Sequence, residues 1–155
     1  MADLIFPTNQ GGTDSVVNSG PFWPCIKLNE IRLIGGISKT ITDDRLLHIV
    51  STEVLSVNRQ LANFKCQAEK QGYQTLAETV TDTINNRSVN EYHYLSAVCS
   101  YVKAKLLEAY SDYDATEKTA TRAEAKLKQA NDYKRDGYAA ICHILGRPVV
   151  DSELI

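Results

Sequence analysis

The chain has 155 residues, of which 43% are hydrophobic and 23% are charged, a balance typical of a one-domain globular protein. Its formal net charge is -2, whereas a protein that holds DNA mainly through phosphate contacts is expected to carry a basic surplus. DNA is therefore disfavoured as the principal ligand. No stretch approaches the roughly 20 apolar residues of a membrane span, and no signal peptide is evident. We expect no membrane partner and a cytoplasmic location after synthesis.

Cysteines and histidines are present, but their spacing matches no known catalytic or metal-binding motif. The four cysteines, Cys25, Cys66, Cys99 and Cys142, show no C-x-x-C spacing. His143 follows Cys142, but adjacent helix residues point in different directions and chelate poorly. No nucleotide-binding loop, zinc-protease or serine-hydrolase motif occurs, and no two histidines are four residues apart. We therefore expect no catalytic residue, no metal, no cofactor and no enzymatic activity.

The first 22 residues mix glycine, asparagine, serine, threonine and proline without a period, which indicates a flexible N-terminal arm. Pro21 and Pro24 exclude a regular helix around Trp23 and favour an extended entry into the domain. From Cys25 to Leu33 the apolar pattern fits either a short helix or a strand-like clasp, and so few residues do not distinguish the two.

The first long helix begins after Thr42, which can cap it, and Asp43 and Asp44 suit the positive end of the helix dipole. Apolar residues then recur at intervals of three and four, as in a heptad pattern, until Gly72 ends the helix. This stripe consists of Leu47, Val50, Val54, Val57, Leu61, Phe64 and Ala68.

A second long helix is predicted from Ser88 to Tyr113, with Ser88 and Glu91 at the spacing of a capping box. A helical turn at 75–78 and a loop precede it. The apolar stripe consists of Tyr92, Leu95, Cys99, Val102, Leu106, Ala109 and Tyr113.

A third long helix is predicted over 121–145, and Gly146 and Pro148 stop it. Lys134 stands where an apolar residue is due, but a lysine stem can cover the edge of a core. The fold class is therefore all-α, an antiparallel bundle of three long helices. The arm covers 1–22, the helical domain 23–146 and a flexible C-terminal tail 147–155.

Aromatic residues supply three candidates for an interface. Tyr94 and Tyr101 keep heptad spacing on a face separate from the main stripe of the second helix. A second aromatic stripe is typical of an interface helix, but packing against the third helix within the chain explains it equally well. Trp23 is the third candidate.

The tail alternates apolar and polar residues after the last helix. Such a segment can add a strand to a sheet edge or bind in a groove of a partner. Its candidate partner-binding residues are Arg147, Val149, Val150, Glu153, Leu154 and Ile155.

Four stretches of the chain resemble the phage head completion protein (GPL) family of contractile-tailed phages and their prophages. They are Trp23-Pro24, "VNRQLANFKCQAEKQGYQTLAE" at 57–78, "YLSAVCSYVKAKLLEAYSDYDAT" at 94–116 and "RDGYAAICHILGRPVVDSELI" at 135–155. The closing Gly-Arg-Pro and Glu-Leu-Ile are the most specific part of the resemblance.

The resemblance implies a structural virion protein, made in the bacterial host cytoplasm, that acts after DNA packaging and keeps the DNA in the filled head. It further implies a ring under the portal protein that offers a surface to the next connector or tail-completion protein, with DNA only as passing or retained cargo. The alternative is a small DNA-binding protein that shields genome ends. Its basic residues would be Lys126, Lys128, Lys134, Arg135 and Arg147, although acidic residues are interspersed among them.

Overall fold

The computed structural model describes residues 14–113 and 120–149, and these residues are mostly helical. They form five α-helices and two short antiparallel strand pairs, so the helical class is confirmed but the simple three-helix bundle is not. The helices are α1 (Leu28–Gly35), α2 (Asp43–Gln60), α3 (Ala62–Lys70), α4 (Val89–Tyr113) and α5 (Ala120–Leu145). The strand pairs are β1 (Val16–Val17) with β2 (Ile26–Lys27), and β3 (Thr83–Ile84) with β4 (Arg87–Ser88).

The chain before α1 packs against the helices. β1 pairs with β2 so that Val17 lies opposite Ile26. The carbonyl of Ser15 and the carboxylate of Asp14 accept the first amides of α1, at 2.8 and 3.2 Å, which helix geometry leaves without partners. Phe22 is 2% exposed. The packed region therefore begins before residue 23 and includes residues 14–22, which the sequence assigned to a flexible arm.

α1 is the helix that the sequence left open as a helix or a clasp, and it follows directly from β2. Gly36 ends it with a φ of 60°, a left-handed conformation that favours glycine. The Arg32 guanidinium on α1 donates to the carbonyl of Ile41 at 2.7 Å and to the Asp43 carboxylate at 2.6 Å. Because only 11% of the Arg32 side chain is exposed, this contact holds the end of α1 against the start of α2.

The helix predicted from Thr42 to Gly72 is divided at Leu61 into α2 and α3. Thr42 caps α2 as predicted, with its hydroxyl 3.4 Å from the amide of Arg45. Backbone hydrogen bonds continue through the division, since Leu61 donates to Val57 at 3.0 Å and accepts from Lys65 at 2.9 Å. The backbone at Leu61 nevertheless departs from helical dihedrals, with φ -97° and ψ 6°, without a proline or glycine. Most of the predicted stripe is buried, namely Val50, Val54, Val57, Leu61 and Ala68.

A 3-10 turn (Leu76–Thr79) and the β3–β4 hairpin lead into α4. Asn85 and Asn86 form the hairpin turn with φ values of 52° and 61°, which asparagine tolerates better than most residues. The predicted capping box is absent, because the buried hydroxyl of Ser88 makes no hydrogen bond. The amide of Val89 is accepted instead by the carbonyl of Asp82 at 3.1 Å.

α4 lies at the centre of the fold, and α1, α2, α5, the 3-10 turn and β4 all pack against it. Its buried residues extend well beyond the predicted stripe and lie on several faces. They are Asn90, Tyr94, Leu95, Ala97, Val98, Cys99, Val102, Ala104 and Leu106.

α5 runs antiparallel to α4 and approaches it closely at Gly137. The rings of His93 and His143 stack at one end, and Lys134 pairs with Glu108 further along. A Cβ atom on Gly137 would lie 2.7 Å from Cε1 of Tyr101, closer than real contacts allow. This glycine therefore sets the separation of the two longest helices.

We expect Gly137→Ala to lower the free energy of unfolding by about 1–3 kcal/mol, because the methyl group overpacks against Tyr101. In an exposed helix the same change stabilises by roughly 1 kcal/mol. Urea unfolding of the variant, repeated in a Tyr101→Ala background where the space is free, measures the effect. A destabilisation of equal size in both backgrounds would contradict the close-approach argument.

Candidate interaction surface

Trp23 and Tyr94, two of the predicted interface residues, are buried within the chain. Trp23 is 6% exposed and Tyr94 is fully buried, and their rings stack with centroids 5.3 Å apart and planes at 14°. The Tyr94 hydroxyl donates to the side-chain oxygen of Asn58 at 2.6 Å. Their side chains therefore stabilise the subunit core and are not available to a partner in this fold.

Tyr101, the third candidate, is half-buried where α4 meets α5. Its ring lies against Gly137, and its hydroxyl lies 3.4 Å from the side-chain amide of Gln60 on α2. Packing against the third long helix, one of the two explanations that the sequence left open, thus accounts for much of this aromatic stripe.

Part of the predicted tail is described. The amide of Arg147 donates to the carbonyl of Cys142 at 2.9 Å, and Val149 is 39% exposed. Val150, Glu153, Leu154 and Ile155 lie outside the described residues. Their role in binding a partner stays a prediction.

The structure places a groove of about 560 Å³ between α1, the β3–β4 hairpin and α4, which we call the hairpin groove. Leu95 and Cys99 form its buried floor, and Tyr92 lies in its wall beneath the guanidinium of Arg87 at 5.4 Å. The other lining residues are Glu30, Ile34, Asn85, Ser96, Ser100, Lys103 and Tyr133.

A second groove of about 500 Å³ lies between the α1–α2 connection, α4 and α5, and we call it the loop groove. Its lining is largely apolar or glycine, including Ile37, Ile41, Leu106, Leu107 and Tyr110. The remaining lining residues are Gly35, Gly36, Ser38, Thr40, Lys103, Gln129 and Tyr133.

Lys103 and Tyr133 line both grooves and separate them. The Lys103 ammonium lies 4.4 Å from the centre of the Tyr133 ring, a cation–π contact. Within the described part of the chain, Lys103 makes no ion pair, whereas Arg87 at the far side of the hairpin groove pairs with Glu30 at 2.6 Å. Lys103 thus leaves a positive charge between two apolar depressions.

The grooves adjoin exposed apolar residues of α1. Leu33 is 84% exposed, and Ile34, which lines the hairpin groove, is 55% exposed. Large apolar side chains beside a groove are typical of a protein-binding surface. We define this surface, namely both grooves with Leu33, as the candidate interaction surface.

The electrostatics of this surface favour binding over chemistry. Burial raises the pKa of the Cys99 thiol, and the charge of Lys103 opposes that shift only in part. Because the thiolate is the reactive form, Cys99 acts as a packing residue of the floor. The hydrogen bond with Glu30 raises the pKa of Arg87 further above neutrality, and arginine is in any case protonated at neutral pH.

The basic residues of the DNA-binding alternative are largely engaged locally. Lys134 pairs with Glu108, and Arg135 pairs with Asp132 at 2.7 Å. The Lys126 ammonium lies 5.9 Å from the centre of the Tyr110 ring. Lys128 and Arg147 are exposed. The five residues do not form one continuous unpaired patch of the kind that phosphate contacts favour.

Two other kinds of site were sought among residues 14–113 and 120–149. No group of three histidine, cysteine or acidic side chains there is placed to hold a metal ion. Nor does any helix in these ranges combine the length and hydrophobicity that a bilayer span requires.

Sequence reasoning missed the residues that form the candidate interaction surface, above all Ile34, Lys103 and Tyr133. One usable signal was present on α1. Leu28, Ile31, Leu33 and Ile34 cannot all face one side of an eight-residue helix, so at least one must point outward.

Residues 17–155 match the phage head completion protein (GPL) family. The chain belongs to this family. It is 26% identical over 137 residues to the head completion/stabilization protein of Escherichia phage P2, which covers 88% of this chain and 81% of that protein. No solved structure matches significantly. The resemblance inferred from the sequence is confirmed, and the chain is a virion-associated protein of phage head completion.

In this family member, Tyr94→Phe tests the buried aromatic pair. Burial raises the pKa of Tyr94 to about 12, and hydrogen bonds with Ser19 and Asn58 oppose the shift. Between pH 10 and 12 the unfolded chain therefore loses this proton while the folded chain keeps it, so stability falls as the pH rises. At pH 7 we expect a loss of about 1–2 kcal/mol, because Asn58 loses its donor.

Phenylalanine carries no titrating proton, so the free energy of unfolding of the variant should fall less steeply from pH 10 to 12. Urea unfolding at several pH values measures both slopes, and Tyr110→Phe, at a partly exposed position, serves as the matched control. Identical slopes for the wild type and Tyr94→Phe would contradict the assignment.

Proposed function

We propose that this head completion protein is a non-enzymatic connector subunit. It docks to the portal protein after DNA packaging, keeps the packaged DNA in the head and offers a surface to the next connector or tail-completion protein. It self-associates into a ring to do so. Family membership and the sequence relation to the phage P2 protein support the head completion role.

The observation that carries the connector role is the exposure of Leu33 and Ile34 beside two grooves. Exposed apolar residues that border a concave surface favour binding to another protein, because burying them on contact is favourable. The local pairing of the basic residues on α5 supports the same conclusion, since protein contacts do not require a continuous basic face.

The test uses the phage or prophage that carries this chain, with its own copy removed and variants supplied in the host. We expect loss of the chain to give packaged heads whose DNA is sensitive to nuclease. Ile34→Asp should lower the yield of nuclease-resistant filled heads at least about tenfold, as expected for loss of a central apolar contact.

Leu55→Asp is the matched control. Leu55 is an apolar helix residue that is 67% exposed and lines neither groove, so this variant should rescue as well as the wild type. Stable filled heads in the absence of the chain would contradict the proposed function. Salt-sensitive binding of duplex DNA by the isolated protein, weakened in Lys128→Ala, would favour the DNA-binding alternative.

A further inference from the structure

The parts of the candidate interaction surface follow one another along α4. The hairpin groove comes first, Lys103 and Tyr133 lie in the middle, and the loop groove follows. A ligand that matched it would have two apolar ends and a negatively charged centre, because Lys103 has no carboxylate partner within the described chain.

The tail of the chain also has two apolar ends and an acidic centre. Val149 and Val150 come first, Asp151 and Glu153 stand in the centre with Ser152 between them, and Leu154 and Ile155 follow. In an extended tail one residue of each apolar pair shares a face with the two carboxylates, so that each groove can receive one apolar side chain and Lys103 both carboxylates. The residues on this face are Val149, Asp151, Glu153 and Ile155.

The lengths are comparable. Along α4 the two grooves extend from Tyr92 to Tyr110, which at 1.5 Å per residue is about 27 Å. Seven extended residues reach about 23 Å. The segment 149–155 therefore falls short of the full length but reaches from one groove into the other.

The position of the end of α5 favours binding of the tail of another copy over binding of the chain's own tail. The pKa of Tyr138 is raised by its hydrogen bond with Cys142, and the charge of Arg147 opposes the shift, which places Arg147 near Tyr138. Tyr138 lies five residues after Tyr133, so the two point about 140° apart around the helix. Arg147, at the start of the tail, thus lies on a different side of α5 from Tyr133, which lines both grooves.

We propose that residues 149–155 of one copy bind across the hairpin and loop grooves of a second copy, with Asp151 and Glu153 next to Lys103. This inference rests on the proposed connector function and names the contact between its subunits. It assigns Lys103 a specificity role, because a neutral or acidic residue there would leave the tail carboxylates unpaired.

The first experiment measures the mass of the full chain by light scattering across a concentration series. We expect the wild type to associate, and Lys103→Glu to weaken association at least about tenfold, as expected when a charge pair becomes a like-charge contact. Lys105→Glu is the matched control, because Lys105 is exposed on the same helix but lines neither groove. Adding Asp151→Lys and Glu153→Lys to the Lys103→Glu chain should restore association, which a merely structural effect would not do.

A mixing experiment distinguishes binding between copies from binding within one. Ser96→Arg fills the hairpin groove but leaves the tail intact, and Ile155→Asp impairs the tail but leaves the grooves intact, because Ile155 shares a face with Asp151 and Glu153 in an extended tail. Each variant alone should be monomeric. Together they should form dimers and nothing larger, because only one groove and one tail of each pair remain competent. Circular dichroism confirms that each variant is folded.

Three outcomes overturn the inference: a wild type that is monomeric at every concentration, groove and tail variants that associate like the wild type, or oligomers that an excess of a peptide of residues 147–155 does not dissociate. The filled-head assay is independent of these results. A monomeric chain that still protects packaged DNA would overturn the tail contact and leave the proposed function standing, whereas associating subunits without protection would do the opposite.

Discussion

The burial of α4 on most of its sides is the constraint on which the rest of the fold depends. A helix that is buried on more than half of its circumference has to be covered by other elements. α5 covers one side along its length, and α2 covers another. α1 has eight residues against 25 in α4, or about 12 Å against 37 Å, so it covers only part of the remaining side. The hairpin groove and the loop groove lie on either side of this short cover.

The long helices could be predicted because each has many turns over which apolar residues recur. Most of the predicted stripe from Leu47 to Ala68 is buried. The same spacing predicts a stripe on the third helix at Leu127, Ala130, Gly137, Ile141 and Ile144, of which Leu127 is 44% exposed and the other four are buried. Short elements have too few residues for a period, so α1 stayed ambiguous and the β3–β4 hairpin was taken for a loop. The interruption of the helix at Leu61 could not be predicted, because no proline or glycine stands there.

The candidate interaction surface was harder to predict than the fold, and the aromatic residues show why. Tyr94 and Tyr101 form a second stripe on α4, and the sequence left open whether another subunit or the chain itself covers it. Three separated parts of the chain cover it, namely Trp23, Asn58 with Gln60 on α2, and Gly137 on α5. A pattern within one helix reveals that a face is apolar, but not which element covers it. Lys103 and Tyr133 lie next to each other only because α4 and α5 pack antiparallel, which the residues of one helix do not reveal.

The placement of groove and tail has a consequence for assembly. A tail that leaves α5 on one side and a groove on another side of the same subunit make a heterologous contact, in which each copy gives one element and receives the other. Such contacts continue indefinitely unless the rotation between neighbours closes a ring. In the proposed role the portal supplies a closed template, and each subunit bound to it raises the effective concentration of its neighbours. A tail contact that is weak between free subunits is then sufficient to hold a closed ring on a filled head, and premature rings in the host are avoided.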